Sequence, residues 1–211
     1  MADQASPVVE GRVARAIRPV DRQQKAYLIA EHAVRLFSER GFAAVSTEEI
    51  SAAAGIGSRT FFRYFPTKES AAFPDHEARV DRFAIVLDAT KGSIEPLASL
   101  MRASERLTDD YFARPELYRP RYRLIRTEPV LRDYERIMDA RYEALIRDFV
   151  AAEYPAHPDI LFLAPALAAS IVATVNAVLD SWSAATDESS TGLLRTALQD
   201  LSELFAPAFV S

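Results

Sequence analysis

The chain of 211 residues contains no cysteine, which excludes a disulfide framework, a cysteine zinc site and thiol redox sensing. Its six glycines are too few for a loop-rich β protein. The three histidines, His32, His76 and His157, stand far apart in sequence and read as surface or packing residues rather than metal ligands. No Gly-rich phosphate loop, no G-x-S-x-G and no histidine beside a nucleophile can be found. The expectation is therefore a protein that is not an enzyme, with no catalytic residue, no metal and no cofactor. A secretory leader is not expected either, because the first residues lack an apolar core of 7–15 residues. The longest uncharged run, 160–179, is of membrane-spanning length. It holds Pro165, Ser170, Thr174, Asn176 and many alanines, has no flanking Lys or Arg, and runs directly into Asp180. It reads as a buried helix at an oligomer interface, with no membrane, and the chain as cytoplasmic.

What is present fits a soluble globular protein: 49% apolar and 26% charged residues. The net charge of −5 hides an asymmetry. Residues 1–68 carry ten Lys/Arg against seven Asp/Glu, and residues 69–211 carry fifteen against twenty-three. A basic end on an acidic remainder suits one surface that meets phosphates, unless the modest excess is ordinary fluctuation.

The most informative stretch is 45–68, V-S-T-E-E-I-S-A-A-A-G-I-G-S-R-T-F-F-R-Y-F-P-T-K. Ser46 and Glu49 make a capping box, and Val45 with Ile50 a hydrophobic staple. The first helix runs to about residue 54, where Gly55 permits a sharp exit. Gly57 caps a second helix over 58–65, and Pro66 stops it. Phe61 and Phe65, four apart, can pack inward. Arg59, Thr60, Phe62, Arg63 and Tyr64 cannot all share that face, so some point outward as a recognition helix would. Helix, glycine turn and helix in about twenty residues is a helix-turn-helix. A preceding helix over 21–40, with Ile29, Ala33, Leu36 and Phe37 as its inner stripe, ends at Gly41 and supports the pair.

This run, with the G-F exit at Gly41 and Phe42, resembles the DNA-binding signature of the TetR/AcrR family of bacterial transcriptional regulators over about residues 21–70. The resemblance implies an all-α homodimer: a three-helix helix-turn-helix head and a larger, divergent ligand-binding and dimerisation body. It places the head at 21–68 and the body at 69–211, behind a flexible basic arm at 1–20. It implies a repressor released from a palindromic double-stranded DNA operator by a small-molecule effector. The alternatives are an activator, a regulator without an effector, or a helical small-molecule-binding protein without DNA affinity. The DNA-binding residues it suggests are Ser46, Thr47, Gly57, Ser58, Arg59, Thr60, Phe62, Arg63, Tyr64 and Lys68, with Lys68 and Tyr64 on phosphates. Two departures stand out. Gly57 replaces the usual Ser cap, and Phe62 stands where the family most often has a phosphate-binding Tyr.

Along the rest of the chain, Arg12, Arg15, Arg18 and Arg22 make the first residues basic, either as an arm on DNA or as a solvated tail. Pro74 interrupts the segment that links head to body, and Asp75 can cap a helix to about residue 89. A helix follows over 96–112, then an irregular piece bracketed by Pro115 and Pro120, then a long helix over 129–153 with Val130, Tyr134, Ile137, Met138, Tyr142, Leu145 and Phe149 on one side. The basic and aromatic stretch 118–126 is either a pocket for an acidic ligand or a solvated arginine face. The sequence R-L-I-R-T-E-P-V-L-R at 123–132 is similar to a branch of the family in which some members respond to acyl-CoA thioesters. On that basis Tyr122, Arg123 and Arg126 are candidates for an acid group, and Ile137, Met138 and Phe149 for an apolar tail. Two apolar helices close the chain over 160–184 and 191–205. Leu167, Ile171, Thr174, Val178, Trp182, Leu194, Leu198 and Leu201 line them and are expected at a four-helix dimer interface, unless both helices are core.

Overall fold

The computed structural model describes residues 19–185 and 190–209, so most of the basic arm expected at 1–20, with Arg12, Arg15 and Arg18, lies outside the described residues. Nine α-helices follow one another, and no strand occurs among the described residues. The head comprises α1 (Pro19–Arg40), α2 (Thr47–Ala53) and α3 (Ser58–Tyr64). A 3-10 turn, Glu69–Ala72, leads to the body: α4 (His76–Ala89), α5 (Pro96–Ala113), α6 (Pro115–Thr127), α7 (Pro129–Glu153), α8 (Ile160–Ala184) and α9 (Ser190–Phe205), with a second 3-10 turn at Ala206–Phe209.

The head forms as its local chemistry dictates. Ser46 Oγ accepts from the Glu49 amide at 3.2 Å, and the Glu49 carboxylate accepts from the Ser46 amide at 2.8 Å. Gly41 and Gly55 take φ of 81° and 66°, the left-handed region that lets α1 and α2 end abruptly. Val45, Ile50, Phe61 and Phe65 are buried together with Ile29, Ala33 and Phe37. This cluster is not closed by the head alone. Leu124 and Ile125 of α6 and Leu131 of α7 complete it.

The piece bracketed by Pro115 and Pro120 is not irregular but the helix α6. Pro115 stands at the first helical position, where its missing N–H is no loss. Pro120 stands inside the helix and is exposed, and it removes one ladder bond. Burial of Tyr118, Tyr122, Leu124 and Ile125 on the other face outweighs that loss. In α7 the expected stripe packs inward at Tyr142, Leu145 and Phe149 but not along its whole length. Val130 and Ile137 face outward, while Leu131 and Glu135 face in.

A larger correction concerns α8 and α9. Leu167, Ile171, Val178, Trp182, Leu194 and Leu198 are buried within this chain itself. Leu201 packs partly buried against the same core, and Thr174 is half-buried. All but Thr174 fill the body's interior with Phe83, Leu100, Ile146 and Phe149 of α4, α5 and α7, or in the case of Trp182 a second cluster with Tyr118. The outward side of α8 is lined instead by Leu161, Phe162, Pro165, Ala169, Ala173 and Ala177. Leu198→Glu places an unpaired charge in this core and is expected to lower unfolding free energy on the order of 4 kcal/mol. Urea denaturation checks it, and a near-wild-type midpoint would contradict the buried placement.

Candidate nucleic-acid interface and effector cavity

Seven residues of α3 divide cleanly. Phe61 is fully buried and its ring centroid lies 5.6 Å from that of Phe65, which fixes the helix on α1 and α2. The same packing turns Arg59, Phe62 and Arg63 to solvent, with Phe62 51% exposed. Gly57 is exposed, and Ser58 and Thr60 are half-exposed at the helix start. Gly57 caps α3 with no side-chain bond. Ser46 is exposed and Thr47 half-exposed at the start of α2, so both helix starts are accessible to solvent.

Two of the expected phosphate contacts are placed otherwise. Lys68 donates from Nζ to the carbonyls of Phe42 and Val45, both at 2.9 Å, and its ammonium lies 4.0 Å from the Phe42 ring centroid. It ties the loop after α1 to the segment after α3 and is a structural clamp. Tyr64 lies between the guanidinium groups of Arg22 and Arg63, 6.0 and 5.5 Å from its ring centroid. Its hydroxyl is buried with no hydrogen-bond partner among the described residues, so it faces inward rather than toward a phosphate.

The body holds a cavity among α4, α5, α6, α7 and α8, with about 60 Å³ open to the centres of water-sized spheres inside about 690 Å³ of unfilled space that includes adjoining solvent. Phe83, Leu107, Ile146, Ile171, Val172 and Leu179 make one part of its wall apolar. Another part is charged. Asp75, 3% exposed, faces two buried guanidinium groups, Arg121 at 3.2 Å and Arg79 at 3.8 Å. Tyr118 donates to the same carboxylate at 2.5 Å. Burial alone would raise the Asp75 pKa, but Arg121, Arg79 and Tyr118 together hold it below the usual carboxylate range. Arg79 also donates to the Leu107 carbonyl and stacks 3.7 Å from the Tyr111 ring centroid. Burial pushes the His76 imidazole down to about 4, so it is neutral in the wall. Across the cavity Asp139 accepts from the Asn176 amide at 2.7 Å, and burial lifts its pKa to about 7.

Of the six residues expected to bind an effector, Tyr122 and Met138 line this cavity. Arg123 is exposed and donates to the Ser183 carbonyl at 2.7 Å. Arg126 pairs with Glu135 and with Asp180. Ile137 is exposed, and Phe149 lies in the core. An acid site built on Arg123 and Arg126 is therefore not assembled. Arg121, not its basic neighbours, lies on the buried face of α6, beyond the piece expected to be irregular between Pro115 and Pro120. Asp75 and Arg79, i and i+4, pair at the start of α4.

The model for bacterial regulatory proteins of the tetR family matches residues 29–70, and the model for the MftR C-terminal domain matches residues 94–206. The mycofactocin biosynthesis transcriptional regulator MftR named in Mycobacterium tuberculosis is 33% identical over 132 residues, 62% of this chain and 66% of that protein, just under two thirds of its length. The fold is shared with NalD, described as the secondary repressor of the MexAB-OprM multidrug efflux pump in Pseudomonas aeruginosa: TM-score 0.58, 17% identity, 85% of this chain and 97% of that one. It is shared as well with the SmeT–triclosan complex: TM-score 0.59, 18% identity, 86% and 91% coverage.

Asp139 gives the cavity a pH signature. The folded chain keeps a proton up to about pH 7 that the unfolded chain releases near its ordinary value, about 4. Its contribution to stability is therefore unaffected below about pH 4, falls as pH rises to about 7, and is constant above. Asp139→Asn cannot titrate, so its stability relative to wild type should rise across that window in urea titrations. A difference independent of pH would show that Asp139 is ionised throughout.

Proposed function

Because the chain belongs to the TetR family of bacterial transcriptional regulators, we propose that it represses transcription as a homodimer on a palindromic operator and is released when a small molecule occupies the body cavity. The observation that carries this reading is the outward face of α3, where Arg59, Phe62 and Arg63 are exposed on a helix clamped from behind by Phe61. Arg59, near the start of α3, is the proposed base reader, since a guanidinium can fork onto guanine in the major groove. Ser46, Thr47, Ser58, Thr60 and Arg63 flank it and are proposed to contact the backbone. A cytoplasmic location follows from such a role.

Release requires that the effector prefer one spacing of the two heads, because DNA accepts recognition helices about 34 Å apart or a multiple of that. The joint suits such a role. The Glu128 carboxylate at the start of α7 accepts from the Phe42 amide at 3.1 Å, and Gln23 of α1 donates to the Pro74 carbonyl at 3.2 Å. The second copy is proposed on the outward side of α8 and α9. There Pro165, Ala169, Ala173 and Ala177 recur every four residues and Leu161, Phe162 and Leu204 are exposed at 92%, 71% and 73%. So much apolar surface on a soluble chain marks an association face.

Two measurements test this reading. Arg59→Ala should weaken binding to DNA selected from a random pool by about 1–3 kcal/mol and relax one position of the preferred site. Lys68→Met should instead lower the melting temperature and leave the salt dependence of DNA binding unchanged. Fluorescence anisotropy over a salt series reads both, and no binding to any selected DNA would refute the reading. For the second copy, Ala173→Glu should sediment as a folded monomer. A folded dimer would place the interface elsewhere.

A further inference from the structure

Two guanidinium groups and one carboxylate are enclosed together on one part of a cavity whose wall also holds Glu135, Asp139 and Asn176. Arg121 and Arg79 are 4% and 1% exposed, Asp75 3%. The cluster therefore carries one positive charge in excess, away from water. Burial raises the pKa of the two other lining carboxylates, Glu135, which shares Arg126 with Asp180, and Asp139, which is bound by Asn176 and lifted to about 7, so below neutral pH they offset that charge only in part. The Nε of Arg121 has no hydrogen-bond partner among the described residues, although Arg121 lines the cavity. An unmet donor on a buried cation is costly unless something fills the space beside it.

We propose that the cavity takes a monoanionic carboxylate on an apolar body, its carboxylate received by Arg121 with Arg79 on the wall formed by α4 and α6. The proposal rests on the effector reading above. A single excess charge matches a carboxylate, and a planar guanidinium recognises a carboxylate through parallel N–H···O bonds. The part of the wall made by Phe83, Leu107, Ile146, Ile171, Val172 and Leu179 suits a hydrocarbon or aromatic body.

The site also has a route to the head. A ligand carboxylate on Arg121 competes with Asp75 for the same guanidinium. Asp75 is bonded to Tyr118, whose hydroxyl lies 3.3 Å from that of Tyr27 on α1. The residue before it, Pro74, accepts from Gln23, also on α1. Weakening the Asp75–Arg121 pair therefore loosens α6 from the start of α4 where both meet the head.

The test uses the full chain and two carboxylates of different shape, octanoate and 3-phenylpropanoate, each beside its primary amide. Isothermal titration should show saturable binding of at least one acid and binding of its amide weaker by about tenfold or more. Arg121→Met should abolish that preference. Arg121→Lys, which keeps the charge and loses the fork, should reduce it if the first variant does not fold. Equal affinity for acid and amide, unchanged preference in a folded Arg121 variant, or no saturable binding of either acid at millimolar concentration overturns the proposal. Addition of the binding acid should also release selected DNA. A chain that binds the acid but no DNA keeps this site and refutes the repressor reading. A chain that binds DNA but neither acid does the reverse.

Discussion

Asp75 brings one negative charge into an interior that already holds Arg79 and Arg121, and the join between head and body is arranged around that meeting. Its backbone carbonyl starts α4 by accepting from the Arg79 amide at 2.9 Å, while its side chain makes no capping bond and turns inward. A cap would contribute roughly 1 kcal/mol at the surface. Removing one member of a buried ion cluster costs more, about 3–5 kcal/mol, because a charge is left unmatched. The buried use of Asp75 therefore wins over the local one. The same choice pins the first turn of α4 to the middle of α6, since Arg121 and Tyr118 both come from α6.

That pin matters because α6 belongs to two cores at once. Its Tyr118 and Tyr122 pack with Tyr111, Leu179 and Trp182, and its Leu124 and Ile125 complete the cluster under α1 and α3. Packed cores resist gradual deformation, so a shift of α6 in the body must be accommodated in the head. The hydrogen bond from the Phe42 amide to Glu128 and the clamp of Lys68 on the carbonyls of Phe42 and Val45 make the head stiff where α6 and α7 touch it. A rigid head on a shared helix can be turned as a unit.

How far the sequence disclosed this depends on range. The region from Val45 to Phe65 was legible because its caps, its staple and the turn at Gly55 are all decided within twenty residues. The cavity was not, because Asp75, Arg79 and Arg121 come from helices separated by α5 and meet only after folding. In between lies α6, where the signal was present and was outvoted. Tyr118, Tyr122 and Ile125 recur at helical spacing, but Pro115 and Pro120 read as breaks. One proline was a helix start and the other faced solvent. Arg123 and Arg126 drew the ligand assignment by composition, yet the helix turns them toward Ser183, Glu135 and Asp180.

The reversed assignment on α8 has a different cause. Hydrophobic periodicity separates inside from outside only when one side is polar, and α8 is apolar nearly all round. From Leu167 to Trp182, the large side chains lie on the inner face, with the small Ala168 among them. Leu167, Ile171, Val178 and Trp182 are large and fill the body's interior, as a close-packed core requires. Ala169, Ala173 and Ala177 are small and lie outside, where they would leave an interior underfilled but let another helix approach closely. A helix that buries one face in its own core and leaves a second apolar face, Leu161 and Phe162 followed by small residues, is stable in the folded chain and incomplete in water. The proposed second copy resolves that without a membrane, because α8 is already held on its large-residue side by α6, α7 and α9.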